Sequence, residues 1–233
     1  LPDVEHALNE AAYLLNKAGL PSALHPILPH LHHAAQRAST RADEQAIFLL
    51  NNLGYALKIF GNYTAAQPLI EQALKTCEKL LGDQHELTAT TLLNYAGLLK
   101  DIGDYTTARP LFERALAIRR QLFGNDHPDT AVTLNNLALL LHMMGEYQAA
   151  QPLYEQALEI CQQTIGPNHP DTALNRTNLT LLLLALGNTT QARPQLEQAL
   201  ATFEQAYGPN HPATAKALLN LASYHQIVDD YNP

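Results

Sequence analysis

The sequence predicts an all-α solenoid made of stacked pairs of antiparallel helices. The main observation is a repeat of 42 residues, which is plainest in the glycines Gly19, Gly61, Gly103, Gly145 and Gly187. Histidines recur at the same spacing, at His85, His127, His169 and His211, and so do prolines, at Pro26, Pro68, Pro110, Pro152 and Pro194. The second observation is that each block holds two stretches with apolar residues at helical spacing. A period of this length indicates supersecondary units that stack, because one unit alone cannot bury its apolar face.

Each block reads as two helices joined by a turn. Repeat position 1 is defined here as His85, His127, His169 or His211, and Asp43 occupies it in the second block. Pro128 at the start and Asp129 in the first turn favour a helix that begins there. Gly145, at position 19, predicts its end, and the second helix is expected from Glu146 to Gly166. The proline near the start of each second helix costs little, since few backbone N–H groups are lost there.

The repeat also divides the chain. We expect a degenerate capping repeat over residues 1–42, because its second helix carries Pro21, Pro26 and Pro29 and terminal repeats are commonly atypical. Four regular repeats follow over residues 43–210. Residues 211–233 supply the first helix of a further repeat. The chain begins at Leu1 without methionine and ends where a second helix is due, which predicts an excised piece of a longer protein.

Composition narrows the class of protein. Hydrophobic residues make up 46% of the 233 residues, as in folded proteins generally. A net charge of -8 argues against nucleic acid, which requires a basic surface. Charged residues are only 15%, so a partner held by short-range contacts is expected. The sequence has neither a signal peptide nor an apolar run of about 18 residues, so nothing in it indicates a membrane protein.

The two cysteines predict a reducing compartment. Cys77 and Cys161 hold the same repeat position in blocks 84 residues apart. We expect them to lie far beyond the roughly 7 Å Cα separation that a disulfide allows. Both are therefore interpreted as small apolar residues, and the protein as cytoplasmic.

The residue pattern resembles the tetratricopeptide repeat. In the first helix, position 8 is large (Leu92, Leu134) and position 12 is small (Ala96, Ala138), and Tyr, Ala, an aromatic or aliphatic residue and Ala follow in the second helix. The 42-residue length and the G-x-x-H-P-D-T and A-x-P-L-Y-E-x-A-L motifs are similar to the kinesin-light-chain subtype. The resemblance covers residues 43 to 228 strongly and 1 to 42 weakly. It implies a right-handed superhelix whose first helices line a concave groove that binds extended peptides. Block five departs from the pattern, with Arg176 at position 8 and Thr180 at position 12.

Helical geometry places positions 2, 6, 9, 13, 16 and 17 on the face opposite the core, with position 10 at its edge. Toward the N-terminus this face is polar and aromatic, and in blocks four and five it is apolar. A ligand that matches it would combine an acidic or polar end with an aliphatic or aromatic anchor. The candidate peptide-binding residues are Phe48, Asn51, Asn52, Tyr55, Lys58, Asn94, Lys100, Val132, Asn135, Asn136, Leu139, Met143, Leu174, Asn178 and Leu181.

Two alternatives stay open for these residues. The asparagines at position 10 could pair with a peptide backbone, since an amide offers two donors and an acceptor. They could equally bond to adjacent helices and hold the array together. The apolar residues could form an interaction surface, or the curvature of the array could bury them. Full burial of Leu139 and Leu181 would rule out the first interpretation.

No catalytic or metal-binding pattern is recognisable. The four histidines at position 1 belong to successive blocks, too far apart to share one metal ion. His25, His30, His32 and His33 match no metal-binding spacing. We therefore predict no enzyme, no cofactor and no metal, and a scaffold that binds a protein or peptide segment. The alternatives are a regulatory array in a larger nucleotide-binding switch protein, which docks a domain of the same chain, and self-association through residues 211–228.

Overall fold

The computed structural model describes residue 26 and residues 28–38 and 43–231, and the regular structure in that part of the chain is entirely α-helical. We number the helices in order as α1 (Leu28–Ala38), α2 (Glu44–Ile59), α3 (Tyr63–Leu80), α4 (Glu86–Asp101), α5 (Tyr105–Phe123), α6 (Pro128–Met143), α7 (Tyr147–Thr164), α8 (Pro170–Ala185), α9 (Ala192–Tyr207) and α10 (Pro212–Tyr231). The predicted alternation of first and second helices is confirmed. Most of the predicted capping repeat, including Pro21 and His25, lies outside the described residues.

The chain forms two compact units, Leu1–Leu122 and Phe123–Pro233. In the first unit, α1 packs on α2, α2 on α3 and α3 on α4, and the first helices α2 and α4 also touch. In the second unit, each helix from α6 to α10 packs on the next, and α8 also contacts the first helices α6 and α10. Each unit thus places its first helices side by side.

The recurring histidines cap the first helices. The Nδ1 atoms of His85, His127, His169 and His211 each accept a hydrogen bond from the backbone N–H two residues later, at 3.1 to 3.2 Å. Asp43 caps α2 in the same way through its carboxylate, which accepts from the N–H of Ala46 at 2.8 Å. Capping satisfies an N–H that has no partner within the helix. Among the described residues, no group of three or more His, Cys, Asp or Glu residues could hold a metal ion.

A buried threonine fixes the turn into four of the first helices, α4, α6, α8 and α10. The hydroxyl groups of Thr88, Thr130, Thr172 and Thr214 donate to the carbonyl groups of Gly82, Gly124, Gly166 and Gly208 at 2.7 to 2.9 Å. All four threonines are fully buried. The glycines have φ between +83° and +95°, a conformation that favours glycine. The G-x-x-H-P-D-T motif therefore encodes a turn, its hydroxyl tie and a helix cap.

The second helix of block five begins later than the period predicts. Helices α3, α5 and α7 start at Tyr63, Tyr105 and Tyr147, but α9 starts at Ala192 rather than at Thr189. The tyrosine that starts the other second helices is replaced by Thr189 in this block. Pro194 consequently falls in the first turn, whereas Pro68, Pro110 and Pro152 lie inside their helices.

The described part of the chain holds no helix long and apolar enough to cross a membrane. Both cysteines are free and buried, Cys77 in the first unit and Cys161 in the second.

Candidate functional site

The clearest feature of the first-helix face is a set of exposed apolar side chains at repeat position 6. Phe48 on α2, Val132 on α6 and Leu174 on α8 are 41%, 40% and 41% exposed, respectively. Met143, at position 17 of α6, is 46% exposed. Val132, Leu174 and Met143 give the second unit an apolar surface, and Phe48 is the exposed apolar residue of position 6 in the first unit, where block three has Thr90. Such surfaces often mark interaction sites.

The residues at position 13 lie deeper. Tyr55, Leu139 and Leu181 are half-buried, so the leucines are not enclosed within the array. Leu181 packs against the core cluster of Leu184, Ala192 and Leu196. Position 13 lies about two turns further along each first helix than position 6 and is less exposed.

The asparagines at position 10 do not act uniformly. The amide of Asn94 donates to Oδ1 of Asn51 at 3.1 Å, and that of Asn178 donates to Oδ1 of Asn135 at 3.0 Å. Asn51 and Asn135 are only 3% and 8% exposed. These two bonds join α4 to α2 and α8 to α6, so in both pairs the amides link neighbouring first helices.

The hydrogen bonds of the asparagines at position 10 depend on which residue occupies position 9 of the neighbouring first helix. Asn136 donates to the carbonyl group of Val132 on its own helix at 2.8 Å. Asn52 is half-buried and makes a polar contact of its own. Position 9 is Asn in blocks two and four but Leu93 and Thr177 in blocks three and five. The Asn-Asn dipeptides at 51–52 and 135–136 are the sequence signal for the interhelical bonds, and position 10 taken alone does not reveal it.

A charged cluster occupies the C-terminal ends of the first helices in the first unit. Nζ of Lys58 lies 3.1 Å from Oδ2 of Asp101, and Nζ of Lys100 lies 3.3 Å from Oδ1 of the same carboxylate. Lys58 also stands 5.5 Å from the ring centroid of Tyr55, a cation–π distance. Burial, and then the negative charge of Asp101, raise the pKa of the Tyr55 hydroxyl. Two lysines that share one carboxylate leave a local excess of positive charge.

Two features of this cluster were not apparent in the sequence. Asp101 is at position 17, where other blocks have Ile59, Met143 and Ala185, so no repeat pattern indicates its role. Gly97, at position 13, makes room for Lys58: a Cβ atom there would lie 3.2 Å from its Nζ. The lysine side chains are therefore drawn inward and are only 15% and 13% exposed.

Stacked helix pairs with a mixed polar and apolar first-helix face define a helical-repeat scaffold. A family model described as tetratricopeptide repeat matches residues 45–120, 88–163, 136–205 and 181–233. The chain belongs to the tetratricopeptide repeat family, whose members bind peptides or proteins and are typically non-enzymatic scaffolds. No curated protein matches the sequence at a significant level.

Solved structures similar to this chain include relatives of the kinesin light chain. BtubC (BKLC) from P. vanneervenii is 20% identical, with a TM-score of 0.67 over 91% of this chain and 84% of that one. A putative kinesin light chain from Podosopora anserina with nearly identical TPR-like repeats is 21% identical, with a TM-score of 0.67 over 89% and 98%. A Rap protein complexed with Competence and Sporulation Factor is 16% identical, with a TM-score of 0.68 over 95% and 63%. These likenesses confirm the fold.

Proposed function

We propose that this scaffold binds an extended peptide or protein segment along the face of its first helices, which the sequence predicts to be concave. The observation that carries the proposal is the exposure of Phe48, Val132 and Leu174 at one repeat position in both units. Burying such side chains against a partner removes apolar surface from water, at roughly 25 cal/mol per Å². Half-buried Leu139 and exposed Met143 extend the apolar surface along α6.

The charged cluster gives the proposed ligand a second requirement. Lys58 and Lys100 together outnumber the single carboxylate of Asp101, so an acidic group of a ligand would be attracted to this part of the first unit. The ligand would thus combine an acidic group with aliphatic or aromatic side chains. Asn51, Asn94, Asn135 and Asn178 would support the face from behind, since their amides already join the helices.

Complexes of similar scaffolds are consistent with this function. The similar Rap protein is known in complex with Competence and Sporulation Factor. The identity is too low to transfer that ligand to this chain, so the sequence of the ligand must be found by selection. The cytoplasmic localisation stays a prediction, as does the absence of nucleic-acid, membrane and cofactor partners.

Selection from a random peptide library tests the proposal directly. Peptides selected on the wild-type chain are measured against Leu174→Asp and against Leu186→Asp, a control change of the same type in the turn after α8. The two leucines are equally exposed, at 41% and 40%, so a general effect of the new charge would weaken both variants alike. We expect Leu174→Asp alone to lose affinity, by roughly ten-fold or more.

The proposed preference for ligands with an acidic group is tested separately. Lys58→Met and Lys100→Met keep most of the aliphatic stem and remove the charge. We expect selected peptides to carry Asp or Glu for the wild type and to lose that enrichment in either variant. Selected peptides that bind all variants equally would contradict the proposed face.

Self-association is a second candidate, favoured by one observation. Leu218 and Leu219 on α10 are 47% and 67% exposed, which is the largest apolar exposure among the described side chains of the first helices. Light scattering over a range of concentrations, with Leu219→Glu as the variant, separates an assembling chain from a monomeric receptor. The regulatory array in a larger protein remains a prediction from the family resemblance.

A further inference from the structure

Block five departs from the repeat at three positions, two of which line one cavity. Position 8 is Arg176 where other blocks have Leu50, Leu92, Leu134 and Leu218. Position 12 is Thr180 rather than alanine or glycine. Position 21 is Thr189 where other blocks have Tyr63, Tyr105 and Tyr147, so a large aromatic side chain is missing at the start of the second helix.

A cavity of about 310 Å³ in the second unit is lined by Arg176 and Thr180, and also by Asn188 and Thr190, the neighbours of Thr189. Its wall is formed by α7, α8, the segment between α8 and α9, and the first turn of α9. Leu158, Leu179 and Leu183 supply apolar surface, and Asn188, Gln191 and Gln195 supply amide groups. Arg176 is the single charged residue among those that line it.

Arg176 is a buried cation without a countercharge. The residue is only 4% exposed, and its Nη2 donates to the carbonyl group of Pro167 at 3.3 Å. Its Nη1 atom is buried and meets no acceptor among the described residues, and no carboxylate of that part of the chain pairs with it. Burial lowers the pKa of this guanidinium. An unpaired buried charge of this kind is destabilising, and an anion bound beside it would relieve the cost.

We propose that this cavity binds a small organic carboxylate with a compact apolar body. The carboxylate would pair with the charge of Arg176, whose side chain lines the cavity. The apolar body would lie against the leucines of α7 and α8. The volume is at the lower end for ligand sites, so it suits one small molecule or the last residue of a peptide.

A single positive charge favours a carboxylate over a phosphate. A phosphate ester is close to doubly charged at neutral pH, and sites for it combine several cations or backbone N–H groups. This site has one guanidinium and neutral amides. The proposal concerns the interior of the helix layers of block five, so it holds or fails independently of the peptide-binding face.

The probe pair is benzoate and benzamide, which share shape and differ in charge. Binding to the whole chain is followed by isothermal titration calorimetry and by shifts of backbone amide resonances. We expect benzoate to bind, benzamide to bind weakly or not at all, and Arg176→Leu to weaken benzoate by about ten- to hundred-fold, the range for hydrogen bonds to charged groups. Arg176→Leu should fold, because leucine occupies this position in four other blocks.

The control variant is Arg193→Leu, which removes an exposed arginine paired with Glu197 on α9 and should leave benzoate binding unchanged. A second variant, Leu183→Phe, narrows the cavity while keeping Arg176 and should also weaken benzoate. Short peptides ending in phenylalanine, as free acid and as amide, distinguish the two sources of the carboxylate. Equal binding of benzoate and benzamide, or undiminished benzoate binding by folded Arg176→Leu, would overturn the proposal.

Discussion

The side-chain amide of Asn94 donates to Oδ1 of Asn51 at 3.1 Å, across two neighbouring first helices and 43 residues of sequence. The second unit repeats the relationship between Asn178 and Asn135 at 3.0 Å. In each pair the acceptor is buried, so its oxygen depends on the donor rather than on water. The amides therefore set how one repeat docks on the next, and the exposed residues of position 6 are held at a spacing that these bonds help to fix.

Replacing the donor asparagine of such a pair should destabilise the array more than expected for a half-buried side chain. Asn178→Ala leaves Oδ1 of Asn135 buried without its donor, which costs about 1–3 kcal/mol. The control is Asn136→Ala, whose amide bonds only to a carbonyl group of its own helix and is half-buried. Urea unfolding followed by circular dichroism measures both. Equal effects of the two variants would mean that the interhelical bond contributes nothing of its own.

The histidine caps give a second prediction. His127→Ala removes the Nδ1 acceptor of the N–H of Asp129 and should lower the free energy of unfolding by about 1 kcal/mol. His127→Asp should restore stability, because Asp43 already caps α2 through its carboxylate. Thermal unfolding compares the three proteins. A melting temperature of His127→Asp as low as that of His127→Ala would contradict the capping role.

Helix limits were predictable because they depend on local chemistry. Gly145 has φ +78° just beyond the end of α6, and His127 and Pro128 begin that helix, as the repeat motif predicts. Thr189 is instructive because it breaks the pattern. The period predicts a helix start there, but without the tyrosine found in other blocks α9 begins at Ala192. The sequence shows that Arg176 and Thr180 depart from the repeat, but it does not reveal the cavity that these residues line.

The binding face was only partly predictable, because it depends on contacts between repeats. A helical wheel gives Asn51 and Phe48 similar directions, yet Asn51 is buried against α4 and Phe48 is exposed. The difference arises from the neighbouring first helix, whose position no single-helix projection contains. The role of Asp101 was not predictable for the same reason, because its ion pair is with Lys58 on the preceding first helix.

A tyrosine–glutamate bond should make the first unit sensitive to pH at both extremes. The Tyr95 hydroxyl donates to Oε1 of Glu71 at 2.6 Å. This bond, with a second from Gln67, lowers the pKa of Glu71, and burial followed by the same bond raises the pKa of Tyr95 to about 12. The stabilisation should be lost as pH falls from about 4.5, the value for unfolded Glu71, through the lowered pKa of the folded state, and as pH rises above about 10, where the unfolded tyrosine ionises.

Tyr95→Phe tests this pair. The difference in unfolding free energy between wild type and variant should be largest between those two limits and should shrink on either side. Urea unfolding at several pH values measures it, with Tyr63→Phe in the same unit as the control. A difference that stays constant with pH would assign the effect of Tyr95→Phe to packing alone.

His142 should make the second unit less stable in mild acid. Its ring packs edge-on against Tyr147 and Tyr154, with ring centroids 5.4 and 6.5 Å apart, and burial lowers its pKa below the ordinary value of 6.5. The unfolded chain therefore binds the proton more tightly than the folded one. Stability should be complete above about pH 6.5 and should decline as pH falls below it, where protonation favours unfolding.

The variant His142→Leu separates this residue from the other histidines, since Leu184 holds the same position in block five. Its unfolding free energy should fall less steeply than that of the wild type between about pH 6.5 and pH 5, because it has no proton to bind there. His225→Leu, at an exposed site on α10, controls for the loss of a histidine as such. If His142→Leu and wild type kept parallel pH profiles while His225→Leu changed the slope, the acid sensitivity would belong to the surface and not to the packed ring between α6 and α7.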